Sequence, residues 1–419
     1  MIKHAGSAWW IVAVMAVSAA AQTVTSSGST NTTKGSSTVG KSPVAVSGSY
    51  IGGGTKALTE AADGLASSRV PLPASEPHVC SSYSAFGDSI SVCCHPSSPK
   101  NLYTNRLGDA IGIKTSIRAR SGDQACDVAK DQVFPNENPG DEGTRLYTVM
   151  IGTNDAAIKG AGAYESVATL CRQAAATWLL TSSRNKYTGG SFVTIPKNWR
   201  VDAAYSPNLV GIESTTKGAS ASWPIMTSGG PIFIWYRVID RNGGAFSYSL
   251  DGGAPVPVEN STSPAMATQN GTTDSVGVVI ITGVSDNITS PQSHTVKIVV
   301  TSATGTGSVV SILAVGTTMP SNSLTHPSLW EAGVPRQLND TLSTATAAYN
   351  SDNQLDATYL AGLGLDISFV DVRSELSNTS LDMADTYHPN DLGNQHLFNA
   401  FYRGIQPVCK TNTGGPTDR

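Results

Sequence analysis

Charge is scarce in this chain. Asp, Glu, Lys and Arg make up 14% of 419 residues, and the formal net charge is −4. With no basic surplus to neutralise phosphates, nucleic acid is excluded as the main partner. Long apolar runs are also scarce: the run at residues 8–20 is shorter than the roughly 20 residues a membrane span requires, so a multi-pass membrane protein is excluded. Several chemistries are missing as motifs. There is no dinucleotide-binding glycine fingerprint, no HExxH zinc signature, no CxxC pair and no GxSxG elbow. Cysteine is absent from residues 187–308, so no crosslink can tie that segment. The hydrophobic content of 39% is nonetheless enough for a core, which excludes a wholly disordered chain, and 41 glycines point to many turns.

Residues 1–21 read as an export signal. Lys3 and His4 precede the apolar run, and Ala19, Ala20 and Ala21 supply the small residues a signal peptidase cuts after. Export makes pairing the expected state of the six cysteines, Cys80, Cys93, Cys94, Cys126, Cys171 and Cys409. Adjacent Cys93 and Cys94 would close a strained ring with each other, so different partners are expected for them. Residues 22–75 are expected to form a flexible tether; between Gln22 and Lys56, 22 of 35 residues are Ser, Thr or Gly. Gly35 to Ser42 matches the phosphate-loop pattern letter for letter. That pattern works only between a buried strand and a helix, and here polar chain precedes it and Pro43 follows, so it reads as coincidence.

The ordered chain divides by rhythm. Residues 76–186 alternate strand and helix: a strand at 83–86 running into Gly87-Asp88-Ser89, a helix at 102–111, a strand at 145–151 running into Gly152-Thr153-Asn154-Asp155, and a helix at 163–180. Residues 187–308 hold short alternating runs separated by Gly- and Asn-rich turns, the pattern of an inserted β-sandwich. The run 309–315 fits either the sandwich or the neighbouring parallel sheet. Residues 309–410 then return to the first rhythm, with a helix over 335–360, a strand over 366–372 and a last helix over 394–403; residues 411–419 form a tail. The whole is an α/β unit split in sequence by an all-β insertion.

A serine after one strand, a Gly-x-Asn-Asp after another and an Asp-x-x-His near the end sit where parallel sheets place ligands. They supply the nucleophile, base, orienting carboxylate and oxyanion donors that serine hydrolysis needs. These segments resemble the SGNH/GDSL hydrolases in four blocks in order: Phe86-Gly87-Asp88-Ser89, Arg120-Ser121-Gly122-Asp123, Gly152-Thr153-Asn154-Asp155 and Asp385-Thr386-Tyr387-His388-Pro389. The resemblance spans about residues 80–182 and 310–405. It implies a flavodoxin-like three-layer fold with Ser89 as nucleophile, His388 as base and Asp385 fixing the imidazole. It also implies an oxyanion hole from the N–H groups of Ser89 and Gly122 and the Asn154 amide. Asp88 and Asp155 are expected to brace their loops.

The expected activity is a secreted esterase acting on O-acetyl or other short acyl groups of carbohydrate, with no metal or cofactor called for and no membrane anchor. A lipid or simple-ester hydrolase and an acyltransferase use the same residues. A polysaccharide-binding protein on a degenerate hydrolase scaffold is the reading from outside enzymology. Trp199 and Trp223 adjoin polar turns and are the candidate sugar-stacking residues, whereas Trp235 and Tyr236 lie in an apolar strand and read as core.

Overall fold

In the computed structural model, the described residues are 45–46 and most of 80–406, the residues left out within that span being chiefly 137–144, 186–193, 203–210, 259–274, 285–290, 303–307 and 319–326. The expected signal sequence, nearly all of the expected tether, the phosphate-loop look-alike and the expected C-terminal tail lie outside them.

Five strands, β1 (Ser82–Gly87), β2 (Thr115–Ile117), β3 (Arg145–Met150), β4 (Ser328–Ala332) and β5 (Ile367–Val370), form a parallel sheet. Their spatial order is β5-β4-β3-β1-β2. Both faces are covered, and side chains alternate between them as a pleated strand requires. In β3, Leu146 and Met150 join one apolar cluster while Tyr147 and Val149 join the other. Helices α2 (Tyr103–Ile111) and α5 (Asp391–Ile405) close the first face, where the rings of Tyr103 and Phe401 stack at 5.3 Å. The second face is closed by α3 (Ala163–Leu180) and α4 (Ser343–Gly362).

Beyond α3 lies a seven-stranded sheet that is antiparallel throughout, and beyond it a four-stranded one. Ser220–Thr227 in the outer sheet alternates strictly between exposed and buried, directing Ala221, Trp223 and Ile225 inward. Ile232–Val238 in the inner sheet is buried almost throughout, because one face meets the outer sheet and the other meets α3. Trp235 makes that second contact: its ring packs edge-on to Trp178 at 5.0 Å, and its Nε1 donates to Thr177 Oγ at 3.1 Å. The antiparallel layers are therefore joined to the α/β layers through a shared helix.

Several expectations are corrected. The undecided run falls in the antiparallel part, because Val310–Thr317 pairs with Ile232–Val238; every residue of it is buried, so periodicity carried no sign of which sheet it joins. Ser183–Asn185 pairs with the same strand, so the antiparallel part extends past 187–308 at both ends. Ala45–Val46, inside the expected tether, pairs with Ile280–Ile281 at the sheet edge. The helix expected from 335 begins only at Ser343, since Asn339 and Asp340 adopt left-handed backbone (φ 57° and 52°) that no helix accommodates.

Cys93 and Cys94 are bonded to each other, not to separate partners. Cys94 and His95 both take positive φ (68° and 73°), and this turn brings the adjacent sulfurs together. Cys126 and Cys171 tie the chain after β2 to α3, a closure worth about 4 kcal/mol against the unfolded chain. Cys80 is also disulfide-bonded.

Candidate active site

The strand order reverses between β1 and β3, whose C-terminal ends therefore border a crevice not bridged by a crossover helix. Two of the candidate segments leave the sheet there. Ser89 begins the short helix α1 (Ser89–Val92), and Asp88 caps it by accepting the Ile90 N–H at 3.0 Å. Gly87 has φ 146°, and a Cβ there would collide with the Met150 carbonyl and the Ser91 hydroxyl; only glycine lets the end of β1 lie so close to β3.

His388 reaches Ser89 from a different part of the chain. Its loop is pinned by the Met383–Pro389 bridge and by a bond from Ala384 N–H to the His388 carbonyl at 2.9 Å. Within it, Asp385 Oδ1 accepts the Tyr387 and His388 N–H groups, each at 2.8 Å. This tight turn sets the carboxylate against its own imidazole, with His388 Nδ1 at 2.9 Å from Asp385 Oδ2. The other ring nitrogen, Nε2, lies 2.9 Å from Ser89 Oγ. Three residues separated by up to 299 positions are thus in one hydrogen-bonded line.

The charge on Asp385 bears on where the protons of that line sit. Partial burial opposes charge on Asp385, but the bonds from the His388 ring and the His388 and Tyr387 N–H groups outweigh it and bring the carboxyl down to about 2. An ionised Asp385 holds the proton of a neutral imidazole on Nδ1, which leaves the Nε2 lone pair facing the hydroxyl.

The second and third segments flank the serine. The 118–123 loop docks on β1 through Arg118 N–H and Ala119 N–H to the Ala85 carbonyl (2.8 and 3.3 Å) and Arg120 N–H to the Gly87 carbonyl (3.2 Å). Gly122 has φ 83°, a left-handed conformation in the bend of this loop. Asn154, in the first turn of a seven-residue helix after β3, donates one amide hydrogen to the Asp123 carbonyl at 2.9 Å. The Asn154 amide is thereby held beside the Gly122 loop.

Asp88 and Asp155 lie beneath, both fully buried. Burial pushes each up to about 7, against the Ile90 N–H that favours charge on Asp88 and the Ala125 N–H that favours it on Asp155. Asp155 accepts that Ala125 N–H at 3.1 Å, joining the third segment to the chain after the second. The expectation that these two acids brace loops agrees with these bonds.

Two residues here were not read from the sequence. Gln132, on a π-helical turn (Val128–Val133), exchanges both bonds with the Gly87 backbone (3.1 and 2.7 Å) and donates to Asp123 Oδ2 at 2.8 Å. One polar residue thus clamps the end of β1 to the second segment; in sequence it follows Lys130 and Asp131, and nothing in the pattern sets it apart from them. His95 places Nε2 3.0 Å from Asp385 Oδ2, with its ring 5.5 Å from that of His388. Nothing in the sequence linked position 95 to position 385.

The tryptophans are a correction. Trp199 is 7% exposed and Trp223 2%, so neither offers a face for stacking on sugar. Trp223 alternates inward on its strand, and Trp199 packs into the same core. Trp235 and Tyr236 are buried as read.

No protein-family model matches the chain. No curated protein matches it either. Among solved structures, a two-domain esterase active on acetylated mannans aligns with 63% of this chain and 95% of its own, at 10% identity and a TM-score of 0.33. A carbohydrate acetylesterase family member from Sinorhizobium meliloti aligns with 78% of this chain and 97% of its own, at 10% identity and a TM-score of 0.31. A family two carbohydrate esterase from Cellvibrio japonicus aligns with 45% of this chain and 54% of its own, at 10% identity and a TM-score of 0.21. Alignments this loose assign neither fold family nor activity, so function is argued from the site's own geometry.

Proposed function

We propose that this protein is a serine esterase of the SGNH/GDSL type that hydrolyses short acyl esters, with O-acetylated carbohydrate as its substrate class. One observation carries the reading: Ser89 Oγ, the His388 imidazole and the Asp385 carboxylate stand in line at 2.9 Å and 2.9 Å. The parallel strand order, read from the chain's own start as 2-1-3-4-5, supports the expected flavodoxin-like arrangement, with the switch point near Ser89 and Asn154.

In this reading Nε2 of His388 takes the Ser89 proton as Oγ attacks the ester carbonyl carbon. The negative charge that develops on the carbonyl oxygen is met by the Ser89 N–H, an orphan donor of the first helical turn, by the Gly122 N–H and by the second hydrogen of the Asn154 amide. His388 then protonates the leaving alcohol. Water, deprotonated by the same nitrogen, releases the acid and restores the hydroxyl. Asp385 stays ionised throughout and stabilises the imidazolium.

Tyr387, next to His388 in the chain and 38% exposed, is the aromatic residue we assign to meeting a sugar face, a role the buried tryptophans cannot fill. Disulfides at Cys80, Cys93–Cys94 and Cys126–Cys171 favour an oxidising compartment and so support export. No helix among the described residues is long and apolar enough to cross a membrane.

The test is acetate release from acetylated polysaccharides and from nitrophenyl acetate, together with labelling by a fluorophosphonate. Wild type is expected to release acetate and to carry the label on Ser89, and Ser89→Ala to do neither. Hydrolysis retained in Ser89→Ala, or a label mapped to another residue, overturns the assignment.

A further inference from the structure

We propose that His95, Asp385 and His388 form a binding site for a divalent transition cation of the zinc class, and that an ion held there switches the esterase off. Among the described residues these three bring one ligand atom each within 4.8 Å of one another. Asp385 Oδ2 is approached by two imidazole nitrogens, His388 Nδ1 at 2.9 Å and His95 Nε2 at 3.0 Å. Ligand atoms around a tetrahedral zinc, at bonds of about 2.0–2.1 Å, lie roughly 3.3 Å apart. The two pairs that share Asp385 Oδ2 therefore have to open by a few tenths of an ångström to admit the ion, while the two imidazole nitrogens, within 4.8 Å of each other, adjust around it. Two imidazoles and one carboxylate make a borderline donor set, suited to zinc and its neighbours and poorly suited to magnesium or calcium.

The surroundings favour occupation. The side chains of His95 and Asp385 are 48% and 40% exposed, which gives an ion a path in and leaves a fourth position for water. His95 is presented by a turn locked through the adjacent Cys93–Cys94 bond and the left-handed backbone of residues 94 and 95. Asp385 is held by two N–H bonds to its other oxygen, so the carboxylate stays in position while Oδ2 changes partner.

The inhibition follows from proton accounting. In the proposed resting state His388 carries its proton on Nδ1 and accepts from Ser89 through Nε2. An ion on Nδ1 forces the ring into its other tautomer: the Nδ1 proton passes to solvent, Nε2 takes one up from solvent, and the ring stays neutral with no net proton released. His95 likewise binds through Nε2 and keeps its proton on Nδ1. With Nε2 protonated, His388 has no lone pair for the Ser89 hydroxyl, and the nucleophile is not activated. The inhibition, though not the ion binding, rests on the esterase reading above.

Calorimetric titration of zinc into Ser89→Ala tests the site without turnover. One-to-one saturable binding is expected, weakened at least about tenfold by adding His95→Gln or Asp385→Asn, since losing a ligand costs no less than losing an outer partner. His294→Gln removes the His–Asp pair of the outer antiparallel sheet (Nδ1 to Asp251 Oδ2, 2.7 Å) and is expected to leave zinc affinity unchanged. In the Ser89-containing enzyme, zinc is expected to suppress ester hydrolysis reversibly on chelation, magnesium to have no effect, and His95→Gln, measured against its own chelated rate, to lose the zinc sensitivity. Thermal melts without metal check that each variant is folded. No saturable binding, or equal affinity in the His95 and Asp385 variants, overturns the proposal. Binding that meets these criteria in a protein without esterase activity upholds the site and refutes the functional reading instead.

Discussion

The parallel sheet and the antiparallel pair of sheets are both sealed on their faces, yet they bury different kinds of residue. In the antiparallel layers the interior is aromatic and aliphatic, and the buried polar groups are mostly hydroxyls such as Ser247, Ser249, Ser275 and Ser311, with Asp202 held by Ser311 and Arg237. The α/β layers bury Asp88, Asp123, Asp127, Asp155, Arg172, Glu331 and Asp356. Some of these meet one another: Arg172 Nε donates to Glu331 Oε1 at 2.9 Å, and burial together with the charge of Glu331 pushes Asp356 upward. Others hold backbone near the candidate site: Asp88 accepts from Ile90 N–H and Asp155 from Ala125 N–H. Burying a carboxylate costs free energy unless bonds offset it, and the α/β layers bury many more such groups, each met by backbone N–H groups, amides or Arg172, than the antiparallel layers do.

The sharpest separation of the two regions is expected from Ser89→Ala, which should lower ester hydrolysis about 10⁴- to 10⁶-fold while leaving the thermal melt near wild type. Its converse is Trp235→Ala. Removing that ring from between Trp178 and the antiparallel core is expected to destabilise the protein by about 3–5 kcal/mol, read by denaturant titration, with kcat of the folded fraction unchanged. A large kcat loss in Trp235→Ala would mean that the antiparallel layers take part in the site. Asn154→Ala is expected to reduce kcat about 10²- to 10³-fold at near-normal KM, as loss of an oxyanion donor does. Because Asn154 also bonds to the Asp123 carbonyl, the melt of this variant reports how much of the effect is loop position.

The smallest effect is a pH-dependent one. Asp88 ionises near 3.8 when unfolded and near 7 when folded, so the folded state holds the proton more tightly. Its favourable contribution is complete below about pH 3.8 and is lost as pH rises toward 7. Asp88→Asn keeps an oxygen for the Ile90 N–H and cannot ionise. Its melting temperature should match wild type near pH 4, exceed it increasingly up to pH 7, and hold a gain of a few degrees above that, on the order of 1–4 kcal/mol. A gain that is the same at pH 4 and pH 8 would remove ionisation of Asp88 as the cause.

Legibility followed the kind of signal each element carries. The loops after β1 and β3 were readable because Gly-Asp-Ser and Gly-Thr-Asn-Asp follow apolar runs, and His388 because Asp385 lies one helical turn away in sequence. The strand β4 was not read: it is five residues long, and its central region contains Glu331, whose burial makes sense only once Arg172 on α3 is opposite it. Trp199 and Trp223 stand beside polar turns in sequence but are buried in space: Trp223 because neighbouring residues on its strand point in opposite directions, and Trp199 because the turn before Arg200 packs it into the core. Local strain argued against a bond between Cys93 and Cys94, and the left-handed turn through His95 removed the objection.

By itself the sequence determined the alternation of α/β and all-β segments, through hydrophobic period and turn residues, and which serine, histidine and amide are the candidates for the site, through short patterns at strand ends. Tertiary structure alone decided that Val310–Thr317 joins the antiparallel sheet, that Gln132 clamps Gly87 to Asp123, and that His95 shares the Asp385 carboxylate with His388. Periodicity and motif spacing act within a dozen residues. Which buried faces meet, and which polar groups find partners across 45 or 299 positions, is settled only when the whole chain packs.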